Sequence, residues 1–319
     1  MPDPGPAAAA SAALAQADGA VHSDTGTVVN TEVFHGQPCL RLQLPCGDSA
    51  LVALHGAQVL SWVAGGCERL YLSPQAVFDG QAAIRGGIPL CFPQFNQRGP
   101  LAKHGFARNL PWQALADGAN SADAVTAPGQ VVLQLTDNAQ TRAWWPHAFT
   151  AELALALSPG TLNVALTVRN TGAEPWDFTT ALHTYLRVDD IAQVQVDGLD
   201  GCARWDAVTD THSVQHGALR FAGEFDSVYQ AAPGPLQLHE GGAHTLTLQQ
   251  SASCASTVVW NPGAALCARL TDMPADGHTR MLCIEAAQID TPVHLAPGAV
   301  WTGWQRLSIA RPVPAVPVP

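Results

Sequence analysis

The sequence predicts an all-β fold, a large antiparallel sandwich, and three observations carry that prediction. Apolar residues recur with period two along many short segments, glycine and proline turns separate those segments at short intervals, and long capped amphipathic stretches of period 3.6 are missing. The clearest segment is a hairpin: Glu152 to Leu157 (ELALAL) alternates, Ser158 to Thr161 (SPGT) supplies the turn, and Leu162 to Val168 (LNVALTV) alternates again. Ala50 to Leu60 begins a similar pattern and is interrupted by a glycine turn at Gly56. Gln130 to Leu135, Ala192 to Val196, Leu236 to Leu248 and Val300 to Ile309 add further strand regions. Turn signals stand at Gly65-Gly66, Asp79-Gly80, Asp197-Gly198, Pro233-Gly234 and Gly241-Gly242. No repeat of propeller or solenoid period is present.

Composition sets the boundaries. Residues 1–25 are rich in Ala, Pro, Gly and Asp and are expected to form a disordered tail, with a transient helix over Ser11 to Ala17. Residues 311–319 read as an extended Pro-rich tail. One domain is expected over residues 26–310. A formal net charge of -11 and a pI near 5.4 argue against nucleic acid or an anionic membrane as partner, since both need a broad basic face. The eight cysteines form no C-x-x-C pair, and several lie in apolar runs, which fits reduced buried thiols. No positively charged n-region precedes the Ala-rich start, because the first basic residue is Arg41, and no apolar run has the length of a membrane span. A cytoplasmic protein, monomeric and acting on a small molecule, is the expectation.

Chemistry concentrates in three islands far apart in sequence. The first, residues 84–109 (IRGGIPLCFPQFNQRGPLAKHGFARN), holds Arg85, Arg98, Lys103 and Arg108, four of the 15 basic residues of the chain and its single lysine. A basic cluster in an acidic chain suggests a site for a small anion. The second island contains His183 and the third contains Glu285, a carboxylate inside an otherwise apolar run. If buried, Glu285 would gain proton affinity and suit a general base, while histidine can give or take a proton near neutrality. Each has an ordinary alternative: a strand histidine is commonly a hydrogen-bonded core or surface residue, an isolated strand Glu commonly faces solvent, and Arg85 and Arg108 could form structural ion pairs. Gly86-Gly87 and Gly105 read as backbone devices. His212 and His216 have the spacing of two ligands on a helix, but Gly217 follows and no helical pattern surrounds them. His239 and His244 flank a turn. No third ligand stands near either pair, so no metal is expected. Phosphate-loop, dinucleotide-binding and nucleophile-elbow motifs do not occur. Cys91, in an apolar run with no base beside it in sequence, reads as a buried thiol.

In order, the segments IRGGIPLCFPQF (84–95), HGFARN (104–109), ALHTYLRVDDI (181–191), EFDSVY (224–229), VVWNP (258–262) and CIEAA (283–287) resemble the aldose 1-epimerase superfamily, and within it the hexose-6-phosphate mutarotase branch. The resemblance covers roughly residues 26 to 310. It implies a galactose-mutarotase-like β-supersandwich without a cofactor. It also implies that His183 is the catalytic histidine and Glu285 the catalytic carboxylate, that His104 and Asp226 contact the sugar, and that Arg85 and Arg108 meet a phosphate. The implied activity is interconversion of the α and β anomers of a hexose 6-phosphate, glucose 6-phosphate above all, by acid–base ring opening and reclosure. Two alternatives stay open: the same chemistry on unphosphorylated aldoses, for which a guanidinium pair has no use, and a non-catalytic carbohydrate-binding sandwich. Two positions depart from the family pattern. Asn96 stands where glycine is common, and Ser227 where a basic residue is frequent.

Overall fold

The computed structural model describes residues 26–115, 130–230 and 232–309; both expected tails, with the Ser11–Ala17 helix, lie outside them. The strands are antiparallel and form three sheets of five, nine and eight strands. Among the described residues only short helices interrupt them, Ala139–Trp144 and Gly263–Cys267 together with three 3-10 turns. Among the described residues no helix is long and apolar enough to cross a membrane.

The expected hairpin forms as Phe149–Ser158 and Thr161–Asn170, with Ser158 opposite Thr161, and it sits inside the nine-stranded sheet beside Val300–Ile309. Its alternation is physical: Ala151, Leu153, Leu155 and Leu157 are buried while the residues between them are half-buried. The Ala50–Leu60 pattern splits into Ser49–Ala53 and Val59–Ala64, strands of the five-stranded sheet. Leu236–Glu240 and Ala243–Gln250 pair around Gly241-Gly242, so His239 and His244 flank a hairpin turn as expected. His212 lies on the strand Thr211–Val214 rather than on a helix, which removes the i, i+4 reading.

One apolar core joins the three sheets, with Leu42 and Val52 from the first, Leu153 and Leu166 from the second, and Leu182, Val259, Leu282 and Ile284 from the third. The eight-stranded sheet carries the candidate chemistry on its other face. Its central strand, Met281–Leu295, is buried on both faces from Met281 to Ala287 and emerges into solvent from Asp290. Leu282, Ile284 and Ala286 alternate with Cys283, Glu285 and Ala287; Leu282 and Ile284 enter the common core, while the latter trio points away from it. All eight cysteines are free; six are buried, while Cys46 and Cys67 are exposed.

Candidate active site

Strand register assembles the floor. Tyr185, Cys283, Trp260 and Asp226 are successive cross-strand partners, so these four side chains project from one rung on one face of the eight-stranded sheet. Glu285, two residues beyond Cys283, is on the same face. On one side it is opposite Val258. On the other side the neighbouring strand is broken: Trp176–Leu182 ends and Tyr185–Arg187 begins, leaving His183 and Thr184 between them. The His183 amide donates to the Pro89 carbonyl at 2.9 Å, and the Ile284 amide donates to the Thr184 carbonyl at 3.1 Å. That break lets the His183 ring lean over the adjacent strand, where Nδ1 lies 3.3 Å from Glu285 Oε1. Neither Nδ1 of His183 nor Oε2 of Glu285 has a hydrogen-bond partner.

The pair is clamped from several directions. The His183 ring stacks on Tyr185 at 4.8 Å and meets the edge of Trp260. From the core side, Gln305 donates through Nε2 to the Ile284 carbonyl and accepts from the Thr184 hydroxyl. A buried amide therefore fixes the backbone next to both proton-carrying residues. Tyr185 in turn accepts from Arg85 at 3.0 Å, and Arg85 is also paired with Asp272.

The 84–109 segment forms the wall. Gly87 has φ +64, and a Cβ there would lie 2.0 Å from the Val59 carbonyl oxygen; a Cβ on Gly105 would lie 2.2 Å from that of Phe92. Both turns therefore need glycine, as the sequence suggested. His104, itself at φ 67, is buried with its ring 5.5 Å from that of His183. The Asn96 amide donates to His104 Nδ1 at 3.2 Å, which fixes the tautomer with hydrogen on Nε2. Cys91 Sγ also contacts Nδ1, at 3.1 Å, so this thiol does have a base nearby in space. Burial nevertheless pushes its pKa up, and the reading of a buried thiol stands.

Electrostatics follow from burial. Glu285 is 1% exposed, so the solvent-facing alternative is excluded. Desolvation raises its proton affinity well above the usual carboxylate range, Asp226 adds to this, and the charges of Arg108 and Lys103 oppose it. His183 is driven the other way by burial and then by His104, Arg108 and Arg85. His104 falls to about 2, through burial first and then Arg108, and stays neutral. Asp226 rises to about 6, chiefly by burial. The basic residues divide into two groups. Arg85 and Arg98 are engaged, the latter by Asp290 and the Trp205 ring. Arg108 donates only to the Lys103 carbonyl and keeps a buried Nε without a partner. Lys103 is exposed and has no ion pair among the described residues.

The structure thus brings His104, His183, Glu285 and Asp226 together with the basic segment. Asn96 has φ 49, the left-handed region in which glycine is favoured and asparagine is the usual substitute. Ser227 faces away from Glu285 and accepts from Arg204 at 3.0 Å, so its departure leaves the floor unchanged. Sequence reasoning did not find Gln305, Trp260, Asp272 or Cys283. Only Cys283 carried a signal, standing two residues from Glu285 on a strand.

The chain is similar to known proteins over most of its length. The aldose 1-epimerase family matches residues 38–308. A Cenchrus ciliaris protein named "Putative glucose-6-phosphate 1-epimerase" is 36% identical over 265 residues, covering 81% of this chain and 80% of its own length. The crystal structure of a mutarotase so designated from Salmonella typhimurium, with the qualifier "putative", superposes with a TM-score of 0.76 at 29% identity, covering 92% of this chain and 97% of that one. A galactose mutarotase-like protein from Clostridium acetobutylicum, 14% identical, has a TM-score of 0.64 over 88% of this chain and 98% of its own, and establishes likeness of fold alone.

Proposed function

The chain belongs to the aldose 1-epimerase family, and from that premise we propose that it interconverts the α and β anomers of glucose 6-phosphate and related hexose 6-phosphates. The observation that carries the reading is the buried 3.3 Å approach of His183 to Glu285 on a floor walled by the basic segment. Two facing groups, one losing and one gaining proton affinity on burial, hold one proton between them. In the reactive arrangement that proton is on His183. Glu285 takes the proton of the C1 hydroxyl, the C1–O5 bond breaks with its electron pair going to O5, and His183 protonates O5. Rotation about C1–C2 turns the other face of the aldehyde to O5. Reclosure returns one proton to His183 and takes the other from Glu285, giving the opposite anomer and the starting enzyme. Acid–base assistance of this kind contributes about 10²–10⁴-fold.

The remaining residues position the sugar. His104 offers a fixed Nε2–H donor, and Asp226 accepts from hydroxyls across the floor. Arg108 has donor capacity left, and Lys103 adds a second unpaired charge, so both can approach a phosphate. Arg85, held by Asp272 and Tyr185, presents a fixed charge to the same anion. Saturation-transfer NMR on glucose 6-phosphate, with glucose and galactose run in parallel, tests the reading. We expect exchange to accelerate for the phosphate far more than for the free sugars, and Arg108→Gln to raise KM for the phosphate by roughly tenfold or more while changing kcat little. Equal acceleration of free sugars would transfer the assignment to an aldose epimerase.

A further inference from the structure

The floor contains a third electron-pair donor that the proton transfers do not use. Cys283 stands two residues before Glu285 on the same face of one strand, and its Sγ, the Glu285 carboxylate and a ring nitrogen of His183 lie within 4.8 Å of one another. All three residues are buried. Glu285 Oε2 lacks a hydrogen-bond partner, and His183 Nδ1 has only the 3.3 Å approach of Glu285 Oε1. An under-satisfied buried carboxylate beside an imidazole and a thiol is costly in a dry environment, and a cation is the species that would satisfy the three groups together.

We propose that His183, Cys283 and Glu285 form a binding site for a thiophilic divalent cation of the Zn²⁺ class, and that occupancy silences the enzyme by taking up its acid–base pair. The donor set, one imidazole, one thiolate and one carboxylate, is the mixture that Zn²⁺ accepts, with bonds of about 2.0–2.3 Å and a fourth position left open. Ligand atoms around such an ion are roughly 3.3–3.8 Å apart, so the 3.3 Å His183–Glu285 approach already fits. Cys283 closes the remaining gap by a small shift of its side chain. Hard oxygen-seeking cations such as Mg²⁺ fit poorly, because the set has a sulfur and only one carboxylate. Binding releases the thiol proton of Cys283, together with any proton held by the His183–Glu285 pair, and oxidises nothing. The bound ion removes the Glu285 oxygen that would accept the C1 proton. The binding site stands on geometry alone, whereas the silencing rests on the acid–base assignment made above.

Co²⁺ as a spectroscopic stand-in for Zn²⁺ separates these two parts. Titrated into the full-length protein, Co²⁺ is expected to give a saturable thiolate-to-cobalt charge-transfer band at one equivalent per chain, which glucose 6-phosphate displaces. Cys283→Ser, with folding verified by circular dichroism, should lose the band. Zn²⁺ should halt anomer exchange in step with occupancy, and a chelator should restore it. In Cys283→Ser the Zn²⁺ concentration needed for half-inhibition should rise on the order of tenfold or more. No charge-transfer band in the wild-type protein, or the same band in Cys283→Ser, overturns the site. A saturated band with exchange continuing unchanged keeps the site and overturns the silencing, along with the acid–base roles of His183 and Glu285. Should Cys283→Ser fail to fold, displacement of the wild-type band by glucose 6-phosphate still decides whether the metal occupies the floor.

Discussion

The two faces of the strand Met281–Leu295 are equally buried over its first seven residues, yet burial does opposite things on them. On one face Leu282 and Ile284 enter the core shared by the three sheets, where exclusion of water stabilises the fold. On the other, Cys283 and Glu285 are as dry, but the same exclusion shifts their proton affinities upward and leaves a carboxylate oxygen without a partner. A strand of this kind lets a rigid hydrophobic face hold a reactive polar face in register. The destabilisation on the polar face is tolerated because the apolar one compensates for it, and the strain of desolvation is located where proton transfer is proposed.

Substitutions on the two faces should therefore separate activity from stability. The largest effect on rate is expected from Glu285→Gln, which keeps the shape and removes the proton acceptor. Anomer exchange should fall by about 10²–10⁴-fold, while the melting temperature measured by calorimetry stays level or rises because no ionisable carboxyl has to be buried. On the opposite face, Ile284→Ala should cost about 2–5 kcal/mol in urea unfolding. Exchange per folded molecule should change far less than in Glu285→Gln. An Ile284→Ala variant that folds normally but is inactive would mean that the faces are not separable.

A smaller and pH-dependent effect is expected at Asp226, on the reactive face one strand beyond Trp260. Its folded pKa of about 6 lies above the ordinary 3.8, so between those values the folded chain holds a proton that the unfolded chain has released. Stability therefore falls as pH rises through this window, and the cost is fully present above about pH 6. Asp226→Asn should be more stable than the wild type by roughly 3 kcal/mol at pH 7.5, with the difference nearly gone by pH 3.5. Urea titrations at the two pH values measure it. An equal gain at both would place its origin elsewhere than in the ionisation of Asp226.

How much of this could be read in the sequence depends on the range of the interaction. The hairpin Phe149–Ser158 and Thr161–Asn170 was legible because period two and a Pro-Gly turn act locally. The glycine turns at Gly87 and Gly105 were legible as turns, although the carbonyl groups that make glycine necessary, those of Val59 and Phe92, were not. Glu285 stood out as a charge in an apolar run, but nothing local decides whether its face meets solvent or another layer of the fold. The broken strand that swings His183 over it depends on Pro89, and the support beneath it depends on Gln305, 121 residues beyond Thr184. Likewise, the engagement of Arg85 by Asp272, 187 residues away, has no local trace. The convergence of the three islands was reachable through family resemblance and not through pattern.

The central claim is that His183 and Glu285 work as one proton-sharing unit. A double-mutant cycle on anomer exchange of glucose 6-phosphate tests it most directly, using Glu285→Gln, His183→Asn and the combined variant. Groups that act as a unit lose nearly everything when either is removed, so each single variant should be about as slow as the double. Losses that simply add in the double variant would show two independent contributors, and the shared-proton account would be wrong.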